Sequence, residues 1–435
     1  MNTSEIAKHV DDALTAQPVL DMHTHLFAPK FGSPVPNNAG NVDPAGLLLW
    51  GIDELVTYHY LVAEVYRVVP ATELPYEAFW KMSKPKQADH IWKHLFVERT
   101  PISEACRGVL TTLQKLGLNP REKTLEPYRK FFAAFTPSDY IDRVMKLSNV
   151  KSITMTNEVF DENEHQRWLK DPNVGVDPRF KPVLRIDPII RDWPAASKRL
   201  SGWGYTVGGG PDAKTIEETR RFLREWITRM KAIYVAVSLP PEFRFPCKVN
   251  DPVKIAGEAM LQNAILPTCE EFGIPFAMMI GSRMQVNPGL KAGGDISGLA
   301  DINTVATLCQ QFPKNKFFVT MLSRENQHEL AVVARKFGNL MVFGCWWFLN
   351  NPSIIEEMTR FRLELLGTTF IPQHSDARIL DQLLYKWDHS RAIIGKVLKD
   401  QYGKINAAGW PVGKADIEKD VRLLLHDNFA NFLAR

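Results

Sequence analysis

Residues 18–27 read Pro18-Val19-Leu20-Asp21-Met22-His23-Thr24-His25-Leu26-Phe27. An apolar run closes on two histidines with one residue between them. Alternate side chains of a strand share a face, so His23 and His25 point the same way at the strand's end. At about 3.3 Å of rise per residue they stand about 6–7 Å apart along the chain, within reach of one divalent ion. Two unrelated loop histidines are the plainer reading of an isolated His-x-His. The apolar residues on both sides favour a barrel strand opening into a loop, and the ligand reading then needs a third donor.

Outward from this stretch, short apolar, β-branched runs recur at Val19–His23, Lys151–Thr156, Pro182–Asp187, Ala232–Ser238, Pro275–Ile280, Phe317–Leu322, Leu340–Cys345 and Thr368–Gln373. Between the later runs lie amphipathic patterns at Ile216–Met230, Ala300–Gln311 and Gln327–Phe337. This alternation predicts an α/β fold, a (β/α)₈ barrel. An open doubly wound sheet is the alternative, but no glycine-rich phosphate turn follows the first strand.

Residues 26–150 separate the first two strands, far more chain than a βα unit needs. The stretch is mostly helical by pattern, with a periodic Asp53–Arg67, a candidate helix at Pro101–Leu116, and a Thr136 N-cap with Pro137 ahead of Tyr140–Leu147. Loops leaving strand C-termini lie on the catalytic face of a barrel. The chain is therefore expected to be one barrel domain, 1–435, with a helical insertion covering the site. The Pro/Asn/Gly-rich Phe31–Gly46 is the expected mobile segment.

The third donor comes from the far end. The eighth run ends in His374-Ser375-Asp376-Ala377-Arg378, ahead of a helical pattern through Ile379, Leu380, Leu383, Leu384 and Trp387. In a closed barrel the eighth strand lies beside the first, so Asp376 can join His23 and His25 as a ligand. Two imidazoles and a carboxylate leave positions open on a metal, as catalysis requires. The competing role for Asp376 is an N-cap of the following helix. Arg378 would face the same mouth; as a first-turn helical cation it would suit the dipole poorly. Tyr58-His59-Tyr60 falls in the Asp53–Arg67 helix, where a tyrosine could serve as acid or base, or simply pack. Arg185 and Arg283 stand at or near strand ends, where each could grip a carboxylate or join a structural ion pair. Trp346 and Trp347 offer flat faces at the mouth, or core aromatics.

Composition narrows the partners. With 435 residues, 45% hydrophobic and 23% charged, the chain has ample material for a globular core. A formal charge of +4 with no basic block argues against nucleic acid and anionic membranes as partners. Residues 1–17 lack an apolar leader segment, no run reaches membrane-spanning length, and five scattered cysteines show no CxxC spacing. A cytoplasmic protein with reduced thiols is expected, and a homo-oligomer is the usual expectation for such an enzyme.

Taken together, DMHTHLF at 21–27, the His59-Tyr60 pair, GCWWF at 344–348 and HSDAR at 374–378 resemble uronate isomerases of the amidohydrolase superfamily. The similarity runs nearly end to end. It is strongest to the divergent Bacillus-type branch, through IDELVTYHYLVAEV at 52–65, AVSLPP at 236–241, FAMMIG at 276–281 and TMLSRENQHEL at 320–330. The resemblance implies a distorted (β/α)₈ barrel that interconverts D-glucuronate with D-fructuronate and D-galacturonate with D-tagaturonate. It implies His23, His25 and Asp376 at the metal site and Tyr60 with Arg378 as a proton-transfer pair. His59, Arg185 and one of the tryptophans fall near the sugar acid, with Arg283 a looser match.

One departure matters. Where many relatives carry a His-Ile-Gly motif in the fifth strand, this chain has Met279-Ile280-Gly281, and no lysine stands out near Val237-Ser238-Leu239. A single divalent ion fits what remains; two histidines and a carboxylate suit zinc, and Mn²⁺ or Co²⁺ would also fit. Aldose–ketose isomerisation moves a proton from C2 to C1 through an enediolate and needs no nucleotide cofactor. The catalytic set expected is Asp376 for ring opening with His23 nearby, and Tyr60 as base beside Arg378. A metal-dependent hydrolase of the same superfamily is the first alternative, and a catalytically silent sugar-acid-binding barrel is the second.

Overall fold

The computed structural model describes residues 1–37 and 42–435, so part of the segment expected to be mobile, 38–41, lies outside the described residues. Among the described residues ten strands form: β1 Val19–Thr24, β2 Val150–Met155, β3 Phe180–Pro182, β4 Leu184–Arg185, β5 Val235–Leu239, β6 Phe276–Ile280, β7 Ser282–Arg283, β8 Ile296–Ser297, β9 Phe317–Met321 and β10 Leu340–Val342. All pairings are parallel except β7 with β8. One sheet runs β1-β2-β3 and another β10-β9-β6-β5-β4.

Three junctions turn these sheets into a barrel. The predicted strand Pro182–Asp187 divides at Val183, whose amide bonds Met155 of β2, while the amide of Leu184 bonds Tyr234 at the start of β5. Pro182 has no amide to donate, and its carbonyl accepts instead from Ile233. The chain thus hands over from one sheet to the next within a few residues. At the other seam Ile371 bridges Phe343, donating to Val342 while Gly344 donates back to Ile371. Asp376 then donates to the His23 carbonyl and His25 to that of Ala377, which closes the ring.

The eighth strand is therefore a correction: Thr368–Gln373 contributes one bridge at Ile371 rather than a ladder. Pro372 interrupts it, and His374 to Ala377 pass over to β1 as irregular backbone. The helix that follows begins only at Gln382 and runs to Ala407.

The barrel interior is filled by Met22, Ala236, Ala277, Met279, Phe318 and Phe343. Phe429 and Phe432 of the C-terminal helix Asn428–Ala434 join the same cluster, so that helix closes the barrel at one end. The described residues of the stretch 26–150 are mainly helical, as the periodicity predicts. The expected helix Asp53–Arg67 is two, Ile52–Val56 and His59–Val65, with Tyr58 extended between them at ψ 142°. Helix Glu104–Lys115 starts at a Ser103 cap, and Pro137–Ser148 starts at the Thr136 cap. No helix among the described residues is long and apolar enough to cross a membrane.

Candidate active site

At the C-terminal ends of the strands lies a cavity of about 440 Å³ whose lining includes His23, His25, Asp376, Arg185 and Arg378. β1 ends at Thr24, so His23 and His25 leave the strand on its inner face, as period two demands. Their Nε2 atoms each stand 3.3 Å from Asp376 Oδ1. Donors about 2.0–2.1 Å from a tetrahedral ion are about 3.3–3.4 Å from one another. All three donor atoms lie within 4.8 Å of each other, so the set fits a metal ion.

The protonation states fit as well. Burial, together with the Arg378 charge, holds His25 well below the usual imidazole range, leaving a neutral ring able to ligate. Burial works to raise the Asp376 carboxyl, and the two imidazoles beside it outweigh that and hold it well below the carboxylate range. Asp376 also adopts φ 51°, a left-handed conformation that Asp tolerates at a cost of about 1 kcal/mol. The N-cap role considered for it does not apply, because the helix starts six residues later.

A carboxylate the sequence reading passed over fastens this arrangement. Asp21, buried in β1, accepts from the Ser375 amide at 3.1 Å, the Trp387 indole at 2.8 Å and the His23 amide at 3.4 Å. One side chain thus ties the strand bearing both histidines to the loop bearing Asp376 and to the following helix.

Arg185 and Arg378, two of the three arginines lining the cavity, differ in kind. Arg185 makes a bidentate pair with Asp187, at 3.0 and 2.8 Å. The Asp187 carboxylate is fixed in turn by the Ser238 amide at 2.9 Å. Arg378 is exposed, and among the described residues its guanidinium has no hydrogen bond or ion pair to protein. It is the cation free to receive a ligand's anion. The other wall is acidic: Glu158, Asp161 and Glu164 line it, and burial pushes Glu158 up to about 7 and Glu164 to about 8.

Comparison with protein-family models and with curated proteins returned no match. Among solved structures, a uronate isomerase from Bacillus halodurans superposes with a TM-score of 0.92 at 50% identity, over 100% of this chain and 97% of that one. This chain belongs to the uronate isomerase family. A uronate isomerase from Thermotoga maritima (TM-score 0.76, 16% identity, 99% of this chain and 97% of that one) shares the fold. So does a glucuronate isomerase from Caulobacter crescentus (TM-score 0.75, 15% identity, 99% and 94%).

Within this uronate isomerase fold, Tyr58, His59, Trp346 and Trp347 also line the cavity. Trp346 is buried in the barrel core, whereas Trp347 meets the His59 ring edge-on at 5.8 Å and its indole N–H has no partner. The His59 Nε2 is likewise unpaired, and burial lowers the ring to about 3, so it is neutral. Tyr60 packs against both Tyr58 and His59, at 4.8 and 4.6 Å between ring centroids, and borders a second, smaller chamber. The helix break at Tyr58 is what puts Tyr58 on the main wall with Tyr60 behind it.

Arg283 does not reach the site. After Gly281 at φ 121° the chain enters the β7–β8 ribbon, where Ser282 faces the cavity and Arg283 the opposite side. Its side chain is 53% exposed, with Glu242 3.8 Å away. Met279 of β6 lines the cavity with its thioether.

Proposed function

We propose that this uronate isomerase interconverts D-glucuronate with D-fructuronate and D-galacturonate with D-tagaturonate, using one divalent ion held by His23, His25 and Asp376. The observation that carries the reading is the 50% identity over the whole chain to the Bacillus halodurans uronate isomerase. When bound, the ion supplies an anchor and a polarising charge for substrate oxygens. Zinc suits the donor set best.

The residues then have separate tasks. Arg378, free of protein partners, pairs with the sugar-acid carboxylate or a developing oxyanion. Asp376 accepts the hydroxyl proton on ring opening. Tyr60, as its phenolate, takes the C2 proton and delivers it at C1, while the C2 hydroxyl proton passes to O1 of the enediolate between them. Arg185, set by Asp187, and the unpaired polar atoms of His59 and Trp347 orient the open chain. The insertion 26–150 covers the strand ends, giving Phe27, Leu47, Tyr58 and His59 to the wall and keeping bulk water from the enediolate.

Tyr58 is a second reading for the proton-transfer group, favoured by its place on the main wall. Burial raises the pKa of both phenols, and the Arg378 charge works against that for both. Comparing Tyr58→Phe with Tyr60→Phe decides between them: the variant that loses C2-proton exchange in deuterated solvent has lost the base.

The direct test is to incubate the purified protein with glucuronate and with galacturonate, assaying ketose formation and metal content together. Ketose formation dependent on the ion supports the proposal. Hydrolysis of amides or esters without ketose would favour the hydrolase alternative, for which a cavity with one histidine fewer is poorly furnished. Tight sugar-acid binding with no turnover would leave a binding barrel.

A further inference from the structure

Behind the active site lies a chamber of about 130 Å³ lined by Tyr60, Glu104, Trp347, Asn350, Tyr385 and Lys386, among others. Among the described residues Trp347 Nε1, Asn350 Nδ2 and Lys386 Nζ are buried polar atoms without a hydrogen-bond partner, and Tyr60 Oη has none beyond the Tyr58 hydroxyl. An unsatisfied buried donor costs about 1–3 kcal/mol, and a charged one more, so a cluster of them is kept for a reason. Lys386 is the extreme case. It is 3% exposed, on the helix Gln382–Ala407, and its ammonium lies 5.9 Å from the centroid of the Tyr60 ring. It is the one lysine or arginine among the residues lining the chamber.

We propose that Lys386 controls whether Tyr60 is a phenol or a phenolate, acting across this chamber as a positioning residue for proton transfer. The proposal rests on reading Tyr60 as the group that moves the C2 proton. It deepens that reading, because Arg378 lines the main cavity and not the chamber on which Tyr60 borders.

The groups around Tyr60 mostly oppose its phenolate. On its own segment stand Tyr58 and the neutral His59. From the helix Gln382–Ala407 come Tyr385 and Lys386, and from Glu104–Lys115 comes Glu104. The 374–378 loop contributes Asp376 and Arg378. Burial opposes the phenolate most, Tyr58, Asp376 and Tyr385 oppose it further, and Arg378 favours it. Glu104 is engaged elsewhere, 2.5 Å from His389 and 3.4 Å from Arg107. Lys386 is itself held below the usual lysine range by burial, with Asp376, Asp21 and Glu104 offsetting part of that. Burial thus favours the neutral amine, the form that accepts a proton. Transfer of the Tyr60 hydroxyl proton to Nζ, directly or through water in the chamber, converts a neutral pair into phenolate and ammonium with no change in total charge. The phenolate then takes the C2 proton, releases it at C1, and is ready again.

The test uses the full-length, metal-loaded enzyme labelled with ¹³Cζ-tyrosine, the Tyr60 signal being the one missing in Tyr60→Phe. Wild type, Lys386→Met and Lys386→Arg are titrated to pH 11, and kcat is measured against pH with glucuronate. Lys386→Met should move the Tyr60 titration up by at least one pH unit and shift the alkaline rise of kcat with it. That corresponds to a fall of about tenfold in kcat at neutral pH, with KM within about twofold. Lys386→Arg keeps a cation but cannot accept the Tyr60 proton, so it should hold the Tyr60 titration near the wild-type value, the phenolate then forming by loss of its proton to solvent. A Tyr60 titration identical in wild type and Lys386→Met, or a wild-type Tyr60 that stays phenolic to pH 11, overturns the proposal. A titration that moves with Lys386 while the kcat profile does not would keep the Lys386–Tyr60 link and remove Tyr60 from the proton-transfer role.

Discussion

Asp376 is the residue on which the site turns, since its carboxylate faces both imidazoles and its backbone occupies a left-handed conformation. Replacing it by asparagine keeps shape and removes charge, and His23→Ala removes a ligand outright. Both variants should fold, lose most bound metal in atomic-absorption measurements, and lose isomerisation by at least about a thousandfold. Full metal content with full activity in either would dismiss the site. The pair of histidines was legible because period two is a property of strands. The cavity arginines were legible only as a class. Arg185 and Arg283 look alike in sequence, yet one is locked on Asp187 at the mouth and the other faces away on a two-residue ribbon. Arg185→Met should raise KM severalfold more than it lowers kcat. It should also cost about 2 kcal/mol in urea unfolding, because Asp187 loses its bidentate partner. A stability loss with unchanged KM would make Arg185 purely a structural cation.

At the scale of elements, the seam between the eighth run and β1 is irregular, and side chains hold what a ladder would otherwise hold. Asp21 is the main fastening, and Gly344 the tightest fit. A Cβ at Gly344 would stand 1.7 Å from His374 Nδ1, and its φ of 66° also excludes most side chains. Asp21→Asn replaces one acceptor oxygen with a donor facing N–H groups. It should destabilise the fold by about 2–3 kcal/mol and weaken metal binding about tenfold or more, although Asp21 is not a ligand. Competition with a chelator measures the second effect; unchanged affinity would mean that the 374–378 loop holds its shape without Asp21. Neither Asp21's role nor the break at Tyr58 was legible. Apolar periodicity runs straight through Asp53–Arg67, and nothing in spacing marks the two residues where the helix opens. The strands were legible because buried parallel strands are short, β-branched and bounded by helices. The eighth was overread, since Pro372 makes an extended run a poor ladder.

For the molecule as a whole, the acidic wall of the cavity makes stability depend on pH in an unusual direction. Glu164 is 3% exposed and its pKa is raised from the ordinary glutamate value of 4.5 to about 8, chiefly by burial. A carboxyl whose folded pKa lies above its unfolded one binds its proton more tightly in the native state. Below the unfolded value both states are protonated and the contribution is whole. As pH rises toward the folded value it is lost, because the native state must then bury a charge that the unfolded chain leaves in water. Between about pH 5 and 8 the free energy of unfolding should therefore fall, by an amount on the order of 2–4 kcal/mol from this group. Glu158, raised to about 7 by burial and by Asp187, works in the same direction. Glu164→Gln keeps the acceptor that now receives the Trp168 indole N–H at 3.3 Å. That variant should match wild type at pH 5 and exceed it at pH 8, flattening the pH profile of urea-unfolding midpoints. A variant equally less stable at both pH values would mean that Glu164 is ionised in the native protein and paired across the cavity. The functional consequence follows from the same sign: anything that brings a cation or a hydrogen-bond donor to this wall, a sugar's hydroxyls included, should stabilise the protein more at pH 8 than at pH 5.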